Sequence, residues 1–182
     1  MSDRAVLLEP DDLFRIPDGD HYELIDGVPV WKNTGARADE IRGLLITHLL
    51  TFVRDRKLGR VFGAKTGYVC FPNSPKRVRR PGGSFVAKGR LPGDKAPEGY
   101  IEIAPDLAIE VVMPDDLYED IAAKVADYRA AKVRLIWVVD PNTKTVLVRR
   151  FNGTCAELDG AGELSGEDVI PGFTCKVAEL FV

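Results

Sequence analysis

The chain has 182 residues, of which 45% are hydrophobic and 29% charged, and its formal net charge is −3 at neutral pH. Those values suit an ordinary globule of one domain spanning 1–182, long enough to bury roughly 70% of its unfolded surface in a single core. They exclude a uniformly basic nucleic-acid-coating surface; no apolar run nears the ~20 residues that cross a bilayer, and Met1 to Arg15 is polar and acidic, which points to a cytoplasmic protein with no membrane partner.

In chain order, Glu9 to Phe14 reads as a short capped helix. His21 to Ile25 and Val28 to Trp31 flank Asp26-Gly27, the dipeptide of a tight two-residue hairpin. Ala36 to Arg56 has helical periodicity, with Ile41, Leu44, Leu45, His48, Leu49, Phe52 and Val53 on one face and Gly59 near its end. His48 on that face is expected to be a packed histidine rather than a ligand. Arg60 to Phe71 and Val78 to Val86 read as strands around a turn at Pro72-Asn73-Ser74-Pro75, with Pro81-Gly82-Gly83 expected to bend or interrupt the second. Gly93 to Pro105 is a polar loop.

Leu107 to Val112 is a strand, Leu117 to Ala131 a helix capped by Asp115-Asp116, and Leu135 to Asp140 a strand. That β–α–β order favours a parallel crossover. Two further strands follow at Thr145 to Phe151 and Thr154 to Leu158. The expected fold is α/β (α+β) with a mixed, partly antiparallel central sheet flanked by helices. Cys70, Cys155 and Cys175 are odd in number and too widely spaced for a zinc knuckle, so they are read as reduced thiols.

Two residues break the pattern. Glu110 lies inside Leu107-Ala108-Ile109-Glu110-Val111-Val112, a run otherwise fit for a buried strand, and an ionised carboxylate there needs a metal ion, a basic partner or a raised pKa. Lys124 falls on the helix stripe of Leu117, Ile121, Val125 and Tyr128, the face that packs on the sheet. One reading is a structural ion pair or a snorkelling stem; the other is a functional site, predicted to bring Glu110 and Lys124 within a few ångströms. Asp106, four residues before Glu110, lies roughly 13 Å away along an extended strand and is expected to be a strand-entry residue.

Tyr22-Glu23-Leu24-Ile25-Asp26-Gly27, Arg79-Arg80-Pro81, Pro105-Asp106-Leu107 before Glu110-Val111, Lys124 with Tyr128, Trp137-Val138-Val139-Asp140-Pro141 and Pro171-Gly172-Phe173 occur in that order. Over nearly its whole length the sequence resembles the Uma-two family of restriction-endonuclease-like proteins, members of the PD-(D/E)XK nuclease superfamily. The resemblance implies a restriction-endonuclease-like fold and a Mg²⁺- or Mn²⁺-dependent phosphodiesterase site. Glu110 matches the family's strand glutamate and Lys124 a lysine supplied from the following helix, since Val112 stands where the superfamily lysine usually falls. Glu23 matches an acidic residue of the opening hairpin and is the second candidate metal ligand beside Glu110. The family's Pro-Asp aspartate falls at Gly82, which supplies no ligand to a cation that wants near-octahedral oxygen; Met113 replaces a serine.

Lys76, Arg77, Arg79 and Arg80 form the one dense basic run and are the candidate contacts to double-stranded DNA, against the plainer reading of a solvated, charge-blunted edge. Two functions follow: a metal-dependent DNA endonuclease impaired at Gly82, or a non-catalytic DNA- or protein-binding module on the same fold. The family resemblance, and the convenience of two sites for cutting two strands, imply a two-fold homodimer.

Overall fold

A computed structural model describes residues 6–181. Residues 1–5, part of the polar N-terminal stretch read above, lie outside the described residues. The hairpin forms where Asp26-Gly27 predicts it: β1 (Tyr22–Ile25) pairs antiparallel with β2 (Val28–Trp31). Both turn residues have positive φ, 50° at Asp26 and 88° at Gly27, as a type I′ turn requires. Next comes α1 (Ala36–Arg56), whose left-handed C-terminal residue is Lys57 (φ 54°) rather than the nearby Gly59.

The central sheet has six strands in the order β3 (Gly59–Gly63), β4 (Gly83–Ala87), β5 (Leu107–Val111), β6 (Leu135–Asp140), β7 (Thr145–Arg150) and β8 (Cys155–Leu158). Only the β5–β6 pair is parallel, and the crossover between them is α2 (Tyr118–Ala130). The mixed sheet is therefore the expected one. The long strands expected at 60–71 and 78–86 shrink to β3 and β4, with Val78, Arg79 and Tyr68 reduced to isolated bridges. Pro72, Pro75 and Pro81 deny this stretch ladder donors, so it pairs only where single residues meet. A small two-stranded sheet of β9 (Glu163–Ser165) and β10 (Thr174–Lys176) was not anticipated.

Strand parity divides the core. Leu107, Ile109 and Val111 of β5 join Ile41, Leu45, Leu49 and Val53 of α1 on one face, together with Trp137, Phe173 and Leu180. Ala108 packs with Val125 and Tyr128 of α2 on the other. Alternation places Glu110 on the α2 side. The helix cap differs from expectation: Leu117 is the N-cap residue, without a side-chain cap, and Asp116 instead accepts the backbone N–H of Met113 at 2.8 Å, closing the turn before the helix. Among the described residues no helix is long and apolar enough to cross a membrane.

Candidate active site

Glu110 is 2% exposed. Lys124 and Tyr128, four residues apart on α2, share the face turned to it. The Tyr128 hydroxyl donates to Glu110 Oε1 at 2.5 Å, and Lys124 Nζ lies 3.5 Å from Glu110 Oε2. Burial and the adjacent carboxylate push the Tyr128 pKa well up, so the phenol stays a donor. For Lys124 burial works against the charge, but Glu110 and Glu23 outweigh it and hold the ammonium above its ordinary value.

Glu23 enters from β1 and is equally buried. Its Oε2 lies 3.9 Å from Lys124 Nζ, a long contact. Its firm partners are Arg79, whose Nη1 donates to Oε2 at 2.9 Å, and the backbone N–H of Arg80, which donates to Oε1 at 2.8 Å. Burial opposes ionisation of Glu23, yet Lys124, Arg79 and Lys32 together leave its pKa lowered. Glu23, Glu110 and Lys124 thus line one cleft of about 140 Å³, with Lys32 and Arg42 beside them and Asp115, Asp116 and Asp120 among its lining residues.

Gly82 lies behind Arg42, which lines this cleft, and its φ is outside the left-handed region. A Cβ built there would lie 3.2 Å from Arg42 Nε and 3.1 Å from the Ile109 carbonyl oxygen. An arginine side chain therefore fills the space into which an aspartate would project. Arg42 is nearly fully buried; its Nη1 pairs with Asp39, its Nη2 contacts Met113 Sδ at 3.7 Å, and its Nε has no partner among the described residues.

The basic run divides between two buried arginines and two side chains nearer the surface. Arg79 and Arg80 are each 3% exposed, so neither is offered to a phosphate at the surface. Arg79 bridges Glu23 and Asp127, donating from Nε to Asp127 Oδ2 at 2.7 Å. Arg80 donates to the carbonyls of Tyr22 (2.9 Å) and Lys65. Arg77 pairs with Asp26 at 2.8 Å and with Asp127, and Lys76 with Glu9 at 2.6 Å. Arg77 and Arg79 thus tie the hairpin and α2 to the bridge segment, while Lys76 reaches only the exposed Glu9 ahead of the first short helix.

Lys32, Arg42 and Asp127 had no role in the sequence reading. Arg42 carried the same signal that singled out Lys124, a cation on the apolar stripe of Ala38, Ile41, Leu45 and Leu49. Lys32 carried none: it follows β2, and only the tertiary fold turns its ammonium to the carbonyls of Arg80 and Ala64 (3.5 Å for the latter). Burial lowers its pKa to about 8, against the attraction of Glu110 and Glu23.

Of the Glu23–Glu110 pair only Glu110 Oε2 lacks a firm hydrogen bond, Gly82 adds no ligand, and further carboxylate oxygens for a divalent ion would have to come from Asp115, Asp116 and Asp120, in a cleft shared with Lys32, Arg42, Arg79 and Lys124. A small divalent ion needs nearly six oxygens in octahedral array. What the arrangement offers is a cationic cluster that can face a phosphate, positioned by two buried carboxylates.

The Uma2 family profile, described as "Putative restriction endonuclease", matches residues 10–178. Among solved structures, a putative nuclease belonging to DUF820 from Anabaena variabilis ATCC 29413 is similar at a TM-score of 0.79 and 19% identity, over 96% of this chain and 97% of that one. At that identity the likeness is one of fold. A search of curated proteins returned no match. With the profile running from the first short helix into the last 3-10 turn, this chain belongs to the Uma2 putative restriction endonuclease family.

Proposed function

We propose that this chain is a DNA-directed protein of the restriction-endonuclease type whose cleft takes a phosphodiester and whose metal-assisted hydrolysis is impaired. The observation that carries this reading is Arg42 standing over Gly82: a cation occupies the place of an anionic ligand. Lys124, Lys32 and Arg42 would face the phosphate oxygens, Glu110 would orient Lys124, and Tyr128 would hold the Glu110 carboxylate in place. Double-stranded DNA as the ligand, a cytoplasmic setting and a two-fold dimer belong to the same proposal. The exposed Val30 and Trp31 at the cleft wall are available to a partner or to DNA.

The test uses supercoiled plasmid with Mg²⁺ or Mn²⁺, and fluorescence anisotropy on a labelled duplex. Wild type is expected to bind the duplex in a salt-dependent way and to nick plasmid slowly. Gly82→Asp alone should change little, because the new carboxylate meets Arg42. Gly82→Asp with Arg42→Ala should raise Mg²⁺-dependent nicking about tenfold or more, since one oxygen ligand decides whether the ion is held, and Glu110→Gln in that background should remove the gain. Wild type that cuts as fast as the double variant would overturn the impaired-site reading. Absence of duplex binding at low salt would overturn the DNA reading, and light scattering showing a single-chain mass at high concentration would remove the dimer.

A further inference from the structure

Away from the cleft, three donors of different chemistry converge where the C-terminal segment lies against α1. His48 projects from α1, Cys175 from β10 and Glu179 from the short 3-10 turn Val177–Leu180, and one ligand atom from each lies within 4.8 Å of the other two. In a tetrahedral zinc site, with bonds of about 2.0–2.3 Å, neighbouring ligand atoms stand about 3.3–3.8 Å apart. Closing the trio therefore needs a shift of about an ångström, which the exposed Glu179 side chain can supply.

We propose that His48, Cys175 and Glu179 form a binding site for a zinc-class divalent metal, with one coordination position left to water or a small ligand. Imidazole, thiolate and carboxylate are a donor set that suits zinc and not magnesium. The surroundings agree. A groove of about 310 Å³ lined by Thr47, His48, Thr51, Phe173 and Thr174 opens beside His48. The neighbours of Cys175 in sequence and space, Val177, Leu180 and Phe173, are core residues, so the sulfur is presented from a fixed strand. An ion here would tie β10 and the C-terminal turn to α1, which they already touch through apolar side chains. His48 and Cys175 are 127 positions apart in the sequence, so no local spacing announces the site.

The experiment is Co²⁺ titration of the full chain, purified without chelator, followed by zinc competition and by elemental analysis of the protein as isolated. The expected result is one Co²⁺ per chain, with the near-ultraviolet band of a cysteine thiolate–cobalt bond and d–d bands of tetrahedral intensity, both lost on adding zinc. Excess zinc should raise the melting temperature by roughly 5–10 °C at a hundredfold excess over Kd. His48→Gln and Cys175→Ser should each abolish the thiolate band, and Glu179→Gln should weaken binding at least tenfold. A melt of each variant in chelator separates loss of metal from loss of fold, and Glu179→Gln, at an exposed position, keeps the test decisive should Cys175→Ser unfold. Cys70→Ser with Cys155→Ser, and Glu110→Gln in the cleft, should leave the spectrum unchanged. No stoichiometric cobalt binding, or a band that survives His48→Gln, would overturn the site.

Discussion

Two buried carboxylates four residues apart, Asp106 just ahead of β5 and Glu110 within it, are treated differently. Asp106, at the strand entry, is held through one oxygen: Oδ2 accepts the Ala87 N–H at 2.8 Å and pairs with Arg90 at 2.7 Å, while Arg134 reaches Oδ1 only at a long 3.9 Å. Glu110 has one oxygen held by Tyr128 and the other facing a lysine across 3.5 Å at the wall of a cleft. Burial alone does not separate them, since both are 2–3% exposed. What separates them is where the less firmly held oxygen lies, since Glu110 lines the cleft beside Lys124 whereas Asp106 is no part of that lining. A carboxylate anchored by a backbone N–H and an arginine contributes to stability, whereas one with a loosely held acceptor at the wall of a cleft is available for chemistry.

The sharpest break of that comparison falls on the saturated network around Glu23. Arg79→Ala strips a buried cation from both Glu23 and Asp127, and removing one partner of a buried pair costs about 3–5 kcal/mol. A melt should drop by about 10 °C or more, and adding Glu23→Gln should recover part of it by deleting the stranded charge. Were Arg79 a DNA contact and nothing else, the melt would hardly move.

Asp106→Ala comes next. It leaves the Ala87 N–H unpaired and frees Arg90 and Arg134, which are near enough to water to resolvate. A loss of about 2 kcal/mol, seen as a fall of roughly 5 °C, is expected with duplex binding intact. Glu110→Gln should do the reverse. The amide keeps an acceptor for Tyr128, so the melt should shift by less than about 1 kcal/mol while the gain of function in the Gly82→Asp, Arg42→Ala background disappears. Equal thermal losses in Asp106→Ala and Glu110→Gln would erase the distinction.

Much of this architecture is legible in the sequence. Period-two and period-3.6 patterns place β1, β2, α1, β5 and β6 within a residue or so, because each has an apolar face with clear ends. Glu110 and Lys124 were legible as violations of those same patterns. Residues 64–82 were not, because isolated bridges carry no periodicity. The partners of the basic run were hidden for a related reason: charge density is visible in one dimension, but Glu23 and Asp26 arrive from the hairpin and Asp127 from α2. Arg42 was the recoverable miss, since its place in the α1 stripe obeys the rule applied to Lys124. Gly82 was visible as a missing carboxylate, but that a guanidinium stands beside it is a fact of packing.

Lys32 offers the smallest and most discriminating effect, because binding and stability should respond to its titration with opposite sign. Its folded pKa of about 8 is set first by burial, with Glu110 and Glu23 pulling upward and Lys124 and Arg42 pushing down. In the unfolded chain it returns to about 10.4. Between those values the unfolded state binds the extra proton, so this group makes stability rise with pH, by about 1 kcal/mol between pH 8 and 9. Over the same interval the cleft loses a cation, and duplex affinity should fall several-fold. Other groups titrate nearby, Cys70 and Cys175 being pushed up to about 11 by burial, so the observable is wild type minus Lys32→Met measured from pH 7 to 9. That difference should show affinity falling as stability climbs. A flat difference in affinity would place Lys32 among the structural cations with Arg79, bound to the carbonyls of Arg80 and Ala64 and to nothing that enters the cleft.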